Sequence, residues 1–74
     1  MKTVRNIGNT IKKLRKQRLY KQGELAKLIG MSETNFQRIE SGKQKNPGIL
    51  CLIKIASILN VGIEEIVVIE EDTD

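Results

Sequence analysis

The sequence predicts an all-α fold of five helices in one small domain. Apolar residues recur at helical spacing along most of the chain. Gly, Ser, Asn and Pro fall where helices end or begin, and 74 residues leave room for one core. Val4, Ile7, Ile11 and Leu14 fall at i, i+3, i+7 and i+10, one face of a first helix over about residues 4–18. Lys12, Lys13, Arg15 and Lys16 lie on its other faces, and Lys12, Lys13 and Lys16 read as a solvated surface. After Tyr20 and Lys21, the residues Leu25, Leu28 and Ile29 predict a second helix from Gln22 to Ile29, stopped by Gly30, which tolerates the positive φ of a sharp turn. Ser32 is a good N-cap, so a third helix is expected over Glu33 to Ser41, with Phe36 and Ile39 inward and Gly42 ending it.

Lys43 to Asn46 form a polar, basic loop. Asn46-Pro47 reads as N-cap followed by proline at the first helical position, which predicts a fourth helix from Pro47 to Leu59. Its expected inward face is Ile49, Leu52, Ile53, Ala56 and Leu59. Leu50, Cys51, Ile55 and Ile58 are apolar as well, leaving Lys54 and Ser57 as its polar side chains. A helix apolar nearly all round must be covered nearly all round, which points to a second subunit. The expected dimer interface is Cys51, Ile55, Ile58, Val61, Ile63 and Ile66. Asn60-Val61-Gly62 makes a turn, and Glu64 and Glu65 complement the dipole at the start of a short fifth helix. The β-branched run Ile66 to Ile69 suits a helix end or a short strand. Residues 1–69 are read as the domain and 70–74 as an acidic tail.

Composition narrows the function. Hydrophobic residues make up 39% and charged residues 30% of the chain, with one proline, so it is neither a disordered tail nor a fibrous repeat. With no histidine and one cysteine, a four-ligand zinc site and an internal disulfide are excluded. No side chain is a general base near neutral pH without a perturbed environment. No catalytic residue, metal, cofactor or small-molecule ligand is therefore expected. The longest apolar stretch, Gly48 to Ile53, is too short to span a bilayer, and the basic first fifteen residues lack the apolar run of a signal peptide. The expectation is a cytoplasmic protein with no membrane partner and with Cys51 reduced, a packing residue rather than a redox centre. Charge is strongly divided. Residues 1–45 hold 12 of the 13 Lys/Arg against three acids, a net of +9, whereas residues 46–74 carry −5. A basic half suits a polyanion, and nucleic acid is the commonest in the cytoplasm.

Gln22 to Glu40 make a short helix, a glycine-containing turn and a second helix of similar length, the pattern of a helix-turn-helix. The string from Gln22-Gly23-Glu24-Leu25-Ala26 through Gly30-Met31-Ser32, with Phe36, Ile39-Glu40-Ser41-Gly42-Lys43, Pro47 and Leu59-Asn60-Val61, closely resembles the Cro/CI-type (XRE-type, lambda-repressor-like) DNA-binding domains over about residues 6–67. The resemblance implies that the third helix enters the major groove of double-stranded DNA and that a homodimer spans two half-sites. With Phe36 and Ile39 inward, Glu33, Thr34, Gln37 and Arg38 form the opposite stripe and face the base edges. Arg38 suits guanine, Glu33 cytosine, Gln37 a two-bond contact to adenine, and Thr34 a thymine methyl or a phosphate.

The resemblance also implies phosphate contacts from Gln22 at the start of the second helix and from Lys43, Lys45 and Asn46 beyond the third. It further implies an Arg15–Glu40 ion pair that aims the arginine fork at the phosphates. Two positions depart from the family pattern. Lys21 stands where a Thr or Ser usually caps the second helix, and Gly23 where an acidic residue or a small helix former is usual, so that helix is expected to begin loosely. Tyr20 takes the usual aliphatic place. The resulting expectation is a DNA-binding transcriptional regulator, most simply a repressor. The alternatives are a restriction–modification controller protein or a protein-interaction module of the same fold, such as an antitoxin-like partner or bridging adaptor.

Overall fold

The computed structural model describes residues 2–4, 7–44, 46–67 and 69–71. Four α-helices carry the fold: α1 (Ile7–Gln17), α2 (Gln22–Ile29), α3 (Glu33–Glu40) and α4 (Ile49–Leu59). The expected fifth helix is a single 3₁₀ turn, Ile63–Glu65. Two short strands, β1 (Lys2–Val4) and β2 (Ile69–Glu71), pair antiparallel with Val4 opposite Ile69 and Lys2 opposite Glu71.

That ribbon corrects two boundaries. Val4 does not begin α1, because Lys2–Val4 is extended and pairs with Ile69–Glu71, the end of the β-branched run and the start of the acidic tail. β2 also crosses the line drawn between domain and acidic tail. Residues 72–74, the rest of that tail, lie outside the described residues.

The turn between α2 and α3 follows from local chemistry. Gly30 adopts φ 93°, and its N–H and that of Met31 fold back to the Ala26 carbonyl at 2.9 and 3.0 Å, closing the last turn of α2. Ser32 then caps α3, its hydroxyl accepting from the Asn35 N–H at 3.2 Å. Lys21 offers α2 no side-chain acceptor. Instead the Glu24 carboxylate reaches back to the Lys21 N–H at 2.9 Å, which satisfies one free donor from the other direction.

The core gathers Ile11 from α1, Leu25, Ala26 and Ile29 from α2, Phe36 and Ile39 from α3, and Leu52, Ile55, Ala56 and Leu59 from α4, with Ile66 beneath. Leu28, expected inward, is 58% exposed, because Leu25, Ala26 and Ile29 already fill the inner stripe of so short a helix. On α4 the inner stripe is Leu52, Ile55, Ala56 and Leu59, at i, i+3, i+4 and i+7. Ile49 and Ile53, assigned inward from the sequence, instead face outward beside Leu50. An all-round apolar helix carries no periodic signal by which to choose a face.

α4 also begins later than Asn46-Pro47 suggested. Gly48 is the residue before the helix, at φ 94° and ψ 147°, a conformation essentially restricted to glycine, and it breaks the helical path between Pro47 and Ile49. At its far end Asn60 turns left-handed (φ 58°), and the Arg18 Nε–H donates to the Leu59 carbonyl at 2.9 Å, tying the end of α4 to the end of α1. No described helix is long and apolar enough to cross a membrane.

α1 crosses α3 at Gly8. A Cβ there would lie 2.3 Å from the Ile39 carbonyl oxygen and 2.7 Å from that of Glu40, so the approach is backbone to backbone and needs a residue without a side chain. The sequence reading did not single out Gly8.

Candidate nucleic-acid interface

With Phe36 fully buried and Ile39 nearly so, the opposite flank of α3 is solvent-facing, and Glu33, Thr34, Gln37 and Arg38 are all exposed on it. Thr34, Gln37, Arg38, Ser41 and Lys43 line one shallow groove. Arg38 also borders a second hollow with Met31, Asn35, Gln44 and Pro47. The loop after α3 folds back on that helix, since the Gln44 N–H donates to the Arg38 carbonyl at 2.9 Å and the Ser41 hydroxyl to the same oxygen at 3.3 Å. Lys43 and Asn46 are exposed on this loop, and Lys45 lies outside the described residues.

Behind the flank runs a chain of polar side chains. Arg15 is 7% exposed; its Nε donates to Glu40 Oε2 at 2.6 Å and its Nη2 to Glu40 Oε1 at 3.2 Å, while Nη1 donates to the Tyr20 carbonyl at 2.7 Å. The Arg15–Glu40 ion pair is formed, and three of the five guanidinium N–H groups are engaged inside the protein, holding α3 to α1 and to the link before α2. Two charges leave water at a cost offset here by two short contacts and further hydrogen bonds, so removing either partner leaves the other stranded.

Glu40 is shared with α2: the Gln22 Nε2 donates to its Oε1 at 2.8 Å. Gln22 Oε1 in turn accepts from Gln37 Nε2 at 3.3 Å, and the same Gln37 nitrogen donates to Glu33 Oε2 at 3.4 Å. The Gln22 side chain, expected to meet a phosphate, is thus also a bridge between the buried ion pair and the exposed flank. Glu33 leans toward α2, where a Cβ on Gly23 would stand 2.8 Å from its Oε1. The missing side chain at Gly23 makes room for that carboxylate near the positive end of a helix. Glu33 and Gln37 at i, i+4 are a pair visible in the sequence, whereas the Gln22–Glu40 contact needs the crossing of two helices.

Of the expected interface residues, Ile55 and Ile66 are completely buried in the core and have no surface left for a second copy, because they complete the inner packing under α4. Cys51, Ile58, Val61 and Ile63 are half-buried. Burial pushes the Cys51 thiol up from its ordinary range, with Lys54 pulling weakly the other way. The sequence reading left Ile49, Leu50 and Ile53 off the interface, yet they are the exposed apolar side chains of α4, at 60%, 73% and 48%.

A family model described as helix-turn-helix matches residues 11–66. Over 72 residues the chain is 38% identical to the ImmF control region 10 kDa protein of Bacillus phage phi105, covering 90% of this chain and 79% of that one. Over 68 residues it is 32% identical to the HTH-type transcriptional regulator SinR of Bacillus licheniformis, covering 92% of this chain but 61% of SinR. Among solved structures, SinR in complex with DNA superposes with a TM-score of 0.74 at 36% identity, over 78% of this chain and 92% of that one.

Proposed function

The chain belongs to the helix-turn-helix family of Cro/CI (XRE) type, and on that premise we propose that it is a sequence-specific regulator of transcription that binds double-stranded DNA with α3 in the major groove. The observation that carries the reading is the flank of α3. Four side chains able to address base edges, Glu33, Thr34, Gln37 and Arg38, stand exposed on a helix whose other side is locked by Phe36, Ile39 and the Arg15–Glu40 pair. Arg38 supplies the fork that guanine accepts through O6 and N7. Lys43, Lys45, Asn46 and the first turn of α2 at Gln22 supply the phosphate contacts that set register and affinity.

Two copies on a palindromic operator complete the proposal, joined through the outer side of α4 and the half-buried Cys51, Ile58, Val61 and Ile63. Occupying a promoter, and so repressing it, is the simplest action for such a domain. The exposed Ile49, Leu50 and Ile53 serve a second reading equally, a module that holds another protein. A mobility-shift titration in rising salt separates the two. Each phosphate neutralised contributes about −0.9 to the log–log slope, so Lys43 and Lys45 alone give about −2 per subunit. A flat dependence rejects DNA as the partner.

A further inference from the structure

The polar chain behind α3 decides what Gln37 can offer a base. It begins at Glu40, an ionised carboxylate held by Arg15, which can only accept. Gln22 must therefore turn its NH₂ group toward Glu40, at 2.8 Å, and its carbonyl oxygen away. That oxygen also only accepts, so Gln37 must turn its NH₂ group inward to meet it at 3.3 Å. The second hydrogen of the same group points to Glu33 Oε2 at 3.4 Å. Flipping either amide would set oxygen against oxygen, so the acceptors at both ends fix the orientation of the whole chain. What Gln37 has left for the groove is its carbonyl oxygen alone.

Adenine is read by glutamine through two bonds, with the amide oxygen accepting from N6 and the amide nitrogen donating to N7. Here the nitrogen is already engaged. We propose, resting on the DNA-binding reading above, that Gln37 is a specificity residue acting as a single acceptor for a base amino group. It takes the N6 amino of adenine or the N4 amino of cytosine and tells the two apart poorly. Gln22 and Glu33 are positioning residues that withhold its donor. This revises the two-bond adenine contact expected from the sequence. Gly23 belongs to the device, because the absent Cβ lets Glu33 lie where it can hold the Gln37 amide.

The test is selection of bound duplexes from a randomised pool by the full chain and by Gln37→Ala, Glu33→Ala and Gly23→Ala, each first checked for retained helicity by circular dichroism. The base position read by Gln37 is the one whose preference disappears in Gln37→Ala. At that position the parent is expected to return adenine and cytosine within about twofold of each other. Glu33→Ala is expected to free one N–H and raise adenine over cytosine by about fivefold or more, the scale of a restored two-bond contact. Gly23→Ala, which alters neither polar side chain but crowds Glu33 away, is expected to shift the preference in the same direction. Adenine alone in the parent, or preferences unchanged in both Glu33→Ala and Gly23→Ala, overturns the inference while leaving DNA binding intact. A parent that enriches no sequence overturns the DNA-binding reading and this inference with it.

Discussion

Replacing glycine by alanine at positions 8 and 23 is the same chemical change in two helices, and the packing demands opposite outcomes. At Gly8 the added methyl would sit 2.3 Å from one backbone carbonyl oxygen and 2.7 Å from the next, and no flexible group is there to move aside. To reach the 3.0 Å that real Cβ atoms respect, α1 and α3 must separate by about 0.7 Å at their crossing. Overpacking of this kind costs about 1–3 kcal/mol, and rigid backbone on both sides argues for the upper part of that range. Alanine's better helix propensity returns at most about 0.5–1 kcal/mol. The expected net loss is about 2 kcal/mol, or a melting temperature lower by about 8–16 °C for a domain of this size.

At Gly23 the obstacle is the tip of the exposed Glu33 side chain, which rotates away at little cost, so the propensity gain of about 0.5–1 kcal/mol survives and melting rises by about 2–8 °C. Thermal and urea unfolding followed by circular dichroism measure both. A Gly8→Ala variant as stable as the parent would show that the crossing is not closed and that α1 does not fix the position of α3.

Three further outcomes follow from the same geometry. Arg15→Met strands Glu40 in the core and is expected to cost about 3–5 kcal/mol, a large share of the total for a small domain, whereas Arg15→Met with Glu40→Met loses less than the single change. A urea double-mutant cycle measures the difference, and strictly additive losses contradict the buried pair. Leu19 is 88% exposed at φ 64°, a conformation that penalises a branched side chain and one that asparagine tolerates, so Leu19→Asn is expected to raise the urea midpoint by about 0.5–1 kcal/mol in stability. Cys51 keeps its proton more firmly in the fold than in the unfolded chain. Its contribution to stability is therefore present below the ordinary thiol range and lost as pH rises through and beyond it. Alkylation by iodoacetamide at pH 8 is expected to be slower in the folded domain than in urea, and equal rates contradict the burial.

Features decided within a few residues were legible in the sequence. Gly30 as the αL stop and Ser32 as the cap of α3 depend on their own backbone and hydroxyl chemistry, and both stand where the sequence put them. Phe36 and Ile39 are inward because a short helix with two large apolar residues on one side has one way to bury them. The misreadings concern partners distant in sequence. Val4 continued an apolar period that α1 shares, but its strand partner lies some sixty residues away. Pro47 gave a strong local start signal that Gly48's positive φ overrides. Gly8 is silent inside a helix until another backbone is known to pass it, and the bond from Arg15 to the Tyr20 carbonyl depends on how the link before α2 folds, whereas the Arg15–Glu40 pair was legible. On the flank of α3 the four residues were legible by periodicity, but which atoms of Gln37 remain available required the path through Gln22 to Glu40.

α3 is wedged against α1 and α2, while α4 rests chiefly on α2 and touches α1 lightly. On the proposed function, two tasks are thereby lodged on separate supports. Substitutions that remodel the outer side of α4, around Ile49, Leu50 and Ile53, leave the props of α3 untouched, so under that proposal a lineage could exchange the company it keeps without rewriting the words it reads.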